Sequence, residues 1–105
     1  MLVAFSVAPS GTGNADGSVH DAVAAAVRVV RDSGLPHRTT SMFTEIEGEW
    51  DEVFGVIRDA CDAVAEYGSR VSLVLKADIR AGRVGEIDAK VERLEAALER
   101  SEERI

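Results

Sequence analysis

The 105-residue sequence has one cysteine, only two lysines and no long apolar run, and these shortages exclude several classes of protein. Its single cysteine, Cys61, cannot form an internal disulfide or a CxxC metal or redox motif, and is predicted to be a small buried hydrophobe. The net charge of -7 leaves no excess of cations for binding nucleic acid or an anionic membrane. The longest apolar run, Leu2 to Val7, is interrupted by Ser6 and is too short to span a bilayer.

The N-terminus also lacks a basic region ahead of its apolar stretch, so the sequence predicts no secretory signal peptide and a cytoplasmic protein. What is present describes a globular protein, with 46% hydrophobic and 30% charged residues. A chain of this length has room for one core, because such a domain buries roughly two-thirds of its unfolded surface. We therefore expect a single domain spanning residues 1–105.

The first part of the chain has the pattern of a strand followed by a helix. Bulky and small side chains alternate from Leu2 to Val7, which predicts a strand that ends at Pro9. The glycine-rich segment Ser10 to Gly17 is predicted to be a loop. Ser18 is placed to cap a helix that runs to about Ser33.

The remaining elements are two strands, a helix, a strand and a last helix. The two strands are predicted from His37 to Met42 and from Phe43 to Glu47, joined as a tight hairpin or continuous as one bulged strand. An amphipathic helix begins at Trp50. Arg70 to Lys76 alternates as the fourth strand, and Glu86 to about Arg104 is a helix with a narrow apolar stripe, which favours docking on a neighbouring surface.

The element order is therefore β-α-β-β-α-β with one added helix, the split βαβ arrangement of ferredoxin-like α+β domains with an antiparallel sheet. Two amphipathic helices cover one face of such a sheet and leave the other face open. Small or weakly polar residues are predicted on that open face: Ala4, Ser6, Ala8, Ser72 and Val74. We expect a homodimer or a dimer of dimers that buries this face or an edge strand, with the last helix contributing.

The joint between the third strand and the second helix concentrates side chains that can bind a ligand. Such joints hold fixed side chains beside free backbone amides, and here they are the hydroxyl of Thr44, the carboxylate of Glu47 and the indole of Trp50. A cationic or amide-bearing small molecule suits this set. Two alternatives stay open: carboxylates near a helix N-terminus also stabilise its dipole without any ligand, and Trp50 also fits a core or lid position.

Other kinds of site lack the residues that they need. Backbone amides of Gly11-Thr12-Gly13 could hold a phosphate, but the lysine of a P-loop is absent and a structural loop is favoured. His20 and His37 lie far apart with no ligand at metal-binding spacing, so no metal site is predicted. No serine stands in a G-x-S-x-G turn, so no nucleophilic triad is predicted either.

Several short motifs together resemble the small thiamine-binding protein family over nearly the whole chain. They are Gly11-Thr12, Met42, Thr44, Ile46-Glu47-Gly48, Trp50-Asp51-Glu52-Val53, and Lys76, Asp78 and Arg80 near the last strand. The resemblance implies a ferredoxin-like sandwich that pairs through its sheets and binds thiamine, or its hydroxymethylpyrimidine portion, without catalysis. The chain departs from the family at Ser41 and Phe43, where proline and glycine are usual.

On this basis we expect one ligand site with hydrogen-bonding, anionic and apolar members. Ser6 and Thr44 are expected to bond the ligand, Glu47 to be its anionic partner, and three side chains to be its walls: Met42, Phe43 and Trp50. Thiamine has a thiazolium cation and a hydrogen-bonding pyrimidine, which an acidic, partly aromatic cleft suits. No catalytic residue, metal or cofactor is expected, thiamine being the ligand.

Two functions of other classes remain as alternatives. The chain could be a regulatory or assembly module that binds a protein through the stripe containing Leu94 and Leu98. It could also be an acylphosphatase-like hydrolase, because acylphosphatases resemble this fold. That activity needs an arginine in the first loop to cradle phosphate, and Ser10 to Gly17 contains none.

Overall fold

The computed structural model describes residues 1–11 and 15–103, and the side chains of residues 1–11 and 19–103. Its elements follow in the order β1 (Leu2–Ser10), α1 (Ala15–Asp32), β2 (His37–Thr39), β3 (Thr44–Glu47), α2 (Trp50–Ala65), β4 (Arg70–Asp78) and α3 (Glu86–Glu103). The strands form one antiparallel sheet in the order β2-β3-β1-β4. The predicted ferredoxin-like α+β sandwich with an additional C-terminal helix is confirmed. Thr12 and Gly13 of the predicted loop, and the side chain of Ser18, lie outside the described residues.

One face of the sheet packs against α1 and α2 and forms the core. Val3, Phe5 and Val7 of β1 are buried there, because alternate side chains of a strand point to the same side. The register places Ile46 beside Val3 and Thr44 beside Phe5. The buried residues that the two helices contribute are Ala22, Ala26, Val30, Val53, Ile57, Ala60 and Val64.

The first strand is longer than its neighbour β3. It continues through Pro9 to Ser10, so the prediction that the proline ends the strand was wrong. All nine residues of β1 pair with β4, whereas only Leu2 to Phe5 pair with β3. Beyond Phe5, one side of β1 has no strand beside it in the described part of the chain. A residue without a backbone N–H is tolerated at such an edge.

Of the two arrangements left open for the next strands, the structure has the hairpin. β2 pairs antiparallel with β3, and the four residues from Thr40 to Phe43 form the turn. The backbone N–H and the hydroxyl of Thr40 donate to the Phe43 carbonyl at 2.9 and 2.8 Å. These bonds place Met42 and Phe43 in the turn, so the predicted assignment of both residues to strands was wrong.

The starts of α1 and α2 differ in how well the sequence predicted them. α1 begins at Ala15, three residues before the predicted start at Ser18. α2 begins with a capping box in which Glu49 accepts from the backbone N–H of Glu52, and the Glu52 carboxylate accepts from the backbone N–H of Glu49 at 3.0 Å. Within the residues that the structure describes, no helix is both long enough and apolar enough to cross a membrane.

The face of the sheet away from α1 and α2, here called the open face, is covered by α3 only near Leu2 and Glu45. The rest of the α3 stripe is exposed to solvent, with Leu94 58% and Leu98 49% exposed. The Cα radius of gyration is 16.4 Å. A compact domain of this length would have about 13 Å, and the difference reflects the projection of α3 from the sheet.

Ion pairs hold the start of α3 against the rest of the chain. Glu86, which is 5% exposed, binds Arg93 at 2.6 Å and Arg83 at 3.7 Å, while Lys90 binds Asp78. The hydrogen bond from Arg93 lowers the pKa of the Glu86 carboxyl below its ordinary value. The hydrogen bond from Lys90 likewise lowers the pKa of Asp78.

We expect the free energy of unfolding to fall as the pH drops through about 5 to 3. Both carboxyl groups have a lower pKa in the folded chain than in the unfolded chain, so their contribution is complete above the unfolded values and is lost on protonation. Urea unfolding at a series of pH values measures this slope. Arg93→Met should make the slope shallower and Arg100→Met, which alters an exposed cation on the same helix, should not. Identical slopes for the two variants would contradict this assignment.

Candidate functional site

The cavity that collects most of the predicted ligand residues lies beside the half of β1 that β3 does not pair. Its volume is about 220 Å³, and β1, α1 and the Thr40–Phe43 turn surround it. We call it the β1 cavity. Four of the six predicted ligand residues line it: Ser6, Met42, Phe43 and Thr44.

Each of these four residues is positioned by the early end of β3. Thr44 is the first residue of β3 and lies opposite Phe5, where it is 9% exposed. Ser6 is the first residue of β1 beyond that pairing. Met42 is 75% and Phe43 37% exposed, because the turn holds both at the cavity mouth. The Phe43 backbone N–H donates to the Thr40 hydroxyl at 3.3 Å, which adds to the bonds that close the turn.

The structure adds lining residues that the sequence reasoning missed. Hydroxyl side chains come from the run Thr39-Thr40-Ser41, and apolar side chains come from Val23 and Val27 of α1. The two valines could have been recognised from the sequence, because they lie four residues apart and so form a row on the surface of α1. The row that the helix buries is a different one: Ala22, Ala26 and Val30. The run of hydroxyl side chains is a weaker indication of a ligand site, because threonine is also an ordinary strand residue.

The described residues that line the β1 cavity include no charged side chain. Its chemical groups are apolar walls, several hydroxyls and the edge of β1 beyond Phe5, where backbone N–H and C=O groups face no partner strand in the described residues. Such an edge hydrogen-bonds to a flat group that carries donors and acceptors side by side. Because drug-sized ligands occupy roughly 300 to 1,000 Å³, a cavity of about 220 Å³ suits one ring more than two.

Glu47 lies away from this cavity, on the open face, and its carboxylate is engaged by α3. One carboxylate oxygen accepts from the backbone N–H of Glu86 at 2.9 Å and the other from that of Ile87 at 3.4 Å. The side chain is 5% exposed. The first N–H groups of a helix lack intrahelical partners, and a carboxylate there also favours the helix dipole. Helix stabilisation, the alternative left open for the carboxylates of this joint, therefore describes Glu47.

The joint between β3 and α2 has a cavity of its own, of about 180 Å³. Glu47, Glu49 and Glu52 line it, but all three carboxylates bind backbone N–H groups at helix starts. Trp50 lines neither cavity. It is 55% exposed and stacks on Phe54 with ring centroids 4.8 Å apart. The structure thus divides the six predicted residues, and does not hold Glu47 and Trp50 together around one cleft.

The thiol of Cys61 is half-buried against the core on α2. Burial, followed by the negative charge of Asp62, raises the pKa of the Cys61 thiol above its ordinary value. The thiolate is the nucleophilic form, so this shift disfavours covalent chemistry at Cys61.

Comparison with known proteins decides the family. The family model described as thiamine-binding protein matches residues 3–95. The chain belongs to the thiamine-binding protein family. A UPF0045 protein of Mycobacterium bovis is 48% identical to this family member over 103 residues, which cover 97% of this chain and 98% of that protein.

Solved structures agree with this membership. A domain of unknown function from Bacillus cereus is 31% identical with a TM-score of 0.75, over 86% of this chain and 85% of that one. A hypothetical protein of Methanocaldococcus jannascii is 29% identical with a TM-score of 0.77, over 89% of this chain and 93% of that one. The family resemblance and the fold class expected from the sequence are both confirmed.

In this thiamine-binding family member, Glu47→Ala should loosen α3. The substitution leaves two backbone N–H groups without their acceptor. A hydrogen bond to a charged group contributes about 1.5–3 kcal/mol to stability. We therefore expect the free energy of unfolding to fall by about 2 kcal/mol. Urea unfolding gives this value, and hydrogen exchange should become faster in the first turn of α3.

Glu45→Ala is the matched control for this prediction. Glu45 lies two residues earlier on the same face of β3, and its side chain has no hydrogen bond within the described residues. It should change stability by no more than about 0.5 kcal/mol. Equal losses for the two variants would show that Glu47 acts through general charge, not through the helix start.

Proposed function

We propose that this protein binds thiamine, or its hydroxymethylpyrimidine portion, in the β1 cavity without transforming it. The family match supports a thiamine-related role. The observation that carries the placement is the uncharged, hydroxyl-bearing lining of the cavity beside an unpaired strand edge. The aminopyrimidine ring is flat and neutral, and it carries a donor beside an acceptor, so it matches this lining in size and in hydrogen bonding.

The lining residues take distinct roles in this proposal. Thr44 hydrogen-bonds to the ring from β3, and the backbone edge of β1 from Ser6 onward pairs with it as a neighbouring strand would. Ser6 contributes through this edge, because its side chain lies on the open face. Met42 and Phe43 form the wall at the mouth. The bonds of the turn fix the backbone of Phe43, so its ring needs only a side-chain rotation to present a flat apolar surface to the ligand.

The cationic thiazolium of thiamine lies at the mouth in this proposal, outside the uncharged part of the cavity. The net charge of -7 attracts a cation to the surface as a whole, without a dedicated carboxylate in the lining. In this proposal Glu47 binds the start of α3, Trp50 packs on Phe54 at the surface of α2, and neither residue contacts the ligand. A phosphate group on the ligand would gain no ion pair from the described lining, which includes no cation.

Non-catalytic binding is part of the same proposal. Among the lining residues whose side chains are described, none is a histidine, carboxylate or cysteine that could move a proton or attack a bond. We also propose that the protein acts in the cytoplasm as a homodimer or a dimer of dimers. The exposed stripe of α3 and the open face of the sheet support self-association.

Calorimetry with hydroxymethylpyrimidine, thiamine and thiamine monophosphate tests the ligand. We expect the first two to bind and the phosphate to add no affinity. Thr44→Val should weaken binding by about 0.5–1.5 kcal/mol, the usual net contribution of a hydrogen bond. Ser6→Ala should change the affinity less, because the side chain of Ser6 lies on the open face and only its backbone borders the ligand. Ser72→Ala, on an adjacent strand but outside the lining, is the control. No heat from any of the three compounds at millimolar concentration would overturn the proposal.

A second pair of variants tests where the ligand lies. Trp50→Phe and Glu47→Gln should leave the affinity for thiamine unchanged, because neither residue lines the β1 cavity. The fluorescence of Trp50, the only tryptophan, should also stay constant during a thiamine titration. A saturable fluorescence change together with loss of binding in Trp50→Phe would place the ligand at the joint between β3 and α2.

A further inference from the structure

The hydrogen bonds at the start of β1 fix the direction of each main-chain N–H and C=O group along the strand. The amino group of Met1 donates to the Gly48 carbonyl at 3.0 Å, and the Gly48 N–H donates to the Met1 carbonyl at 3.1 Å. Hydrogen-bonded and non-hydrogen-bonded pairs alternate in an antiparallel ladder, and the register continues from this pair to Phe5, opposite Thr44. The odd-numbered residues of β1 therefore turn their main-chain groups towards β3, and the even-numbered residues turn theirs towards β4.

The bonds on the far side of β3 agree with this assignment. The Glu47 N–H donates to the Pro36 carbonyl at 3.0 Å, so the odd-numbered residues of β3 bond to the β2 side and the even-numbered residues bond to β1. Pro9 agrees as well, because an odd-numbered residue of β1 needs no N–H for the ladder with β4. Independent observations on three strands thus give β1 the same orientation.

Beyond the end of β3, the unpaired side of β1 has the main-chain groups of Val7 and Pro9. Ser6 and Ala8 turn their N–H and C=O groups to β4. Because proline has no N–H, Val7 presents both a donor and an acceptor on the unpaired side, and Pro9 adds an acceptor alone. Among the described residues, these groups of Val7 and Pro9 have no hydrogen-bond partner.

The β1 cavity borders the donor and acceptor of Val7. Val7 is one of the lining residues, and Thr44 and Phe5, which are paired with each other, lie in the lining on one side of it. In a hydrogen-bonded pair of an antiparallel ladder, a residue gives its N–H and its C=O to the same partner residue. A flat ring with an acceptor nitrogen beside an exocyclic amine carries the complementary groups, so its edge can take the place of that partner.

We propose that the main chain of Val7 selects the ligand of the β1 cavity: its N–H donates to a ring nitrogen, and its C=O accepts from the amine on the neighbouring ring carbon. The ligand class is a heteroaromatic ring with an acceptor next to an amine, and hydroxymethylpyrimidine is one member. Since Pro9 follows without an N–H, the edge fits one ring and lacks the next donor that an extended peptide needs. The inference rests on the proposed function, because it assigns the selecting residue of the same cavity.

Amide hydrogen exchange, measured for each residue by NMR, tests the orientation of the strand before any ligand is added. In the free protein the Val7 amide should exchange faster than those of Ser6 and Ala8 by about tenfold or more, because only the latter two are bonded to β4. Adding hydroxymethylpyrimidine should slow the exchange of Val7 and move its amide proton downfield, with smaller changes at Ser6 and Ala8. A Val7 amide that exchanges as slowly as its neighbours in the free protein overturns the inference.

A matched pair of variants tests the hydrogen bond to the ligand. Val7→Pro and Val7→Ala both alter a side chain that is 8% exposed, but only Val7→Pro removes the N–H, which the ladder with β4 does not use. The probes are hydroxymethylpyrimidine and the aniline of the same shape, in which both ring nitrogens are C–H. Calorimetry gives the ratio of their affinities. We expect this ratio to be the same in wild type and Val7→Ala, and to fall by about three- to tenfold in Val7→Pro.

The ratio separates the hydrogen bond from a general loss of packing, because packing affects both probes alike. An equal ratio in Val7→Pro and Val7→Ala overturns the role of Val7 and leaves binding in the β1 cavity intact. Absence of binding of hydroxymethylpyrimidine to the wild-type protein overturns the proposed function together with this inference. If Val7→Pro does not fold, the exchange measurement on the wild-type protein decides between the two outcomes.

Discussion

The difference in length between β1 and β3 is the constraint on which the candidate site depends. β1 has nine residues and β3 has four, and their pairing stops at Phe5. From that point β1 keeps β4 on one side, and no strand of the described residues lies on the other side. This gap allows Pro9 within the strand, provides the edge of the β1 cavity and brings the Thr40–Phe43 turn beside Ser6. A β3 extended by a few residues would pair with the same edge and fill the cavity.

The two ends of β3 have separate tasks because of strand geometry. Thr44 and Glu47 are three residues apart, and an odd separation places two side chains on opposite faces of a sheet. Thr44 therefore borders the β1 cavity, while Glu47 reaches across the open face to the first N–H groups of α3. The acidic joint that the sequence presents as a ligand site is, in the structure, a set of helix starts. Among the residues that the structure describes, the β1 cavity is uncharged, which is the reason for assigning the pyrimidine portion of thiamine to it in the proposed function.

Much of the architecture could be predicted from the sequence. The order of strands and helices followed from the alternation in β1 and β4 and from the helical spacing in α2. The ends were harder to predict: the position of Pro9 suggested a strand end, and Met42 and Phe43 resembled strand residues. Both errors arise from partners distant in the chain, since the absence of a strand beside Pro9 and the bonds that close the turn belong to the folded sheet. The opposite orientation of Thr44 and Glu47 was, by contrast, available from their spacing alone.

By itself, the sequence determined the fold class and the family. It also determined that the side chains of Val3, Phe5 and Val7 lie on one face of β1, and that α3 is too polar to be buried within one chain. Periodicity encodes these properties locally, so no knowledge of distant contacts is needed. Only the tertiary structure decided which carboxylate binds which helix start and where a cavity forms. Glu47 and the N–H group of Glu86 are separated by 39 residues, and the β1 cavity joins residues from β1, α1 and the hairpin turn. Such contacts depend on the relative placement of whole elements, which no local pattern of side chains specifies.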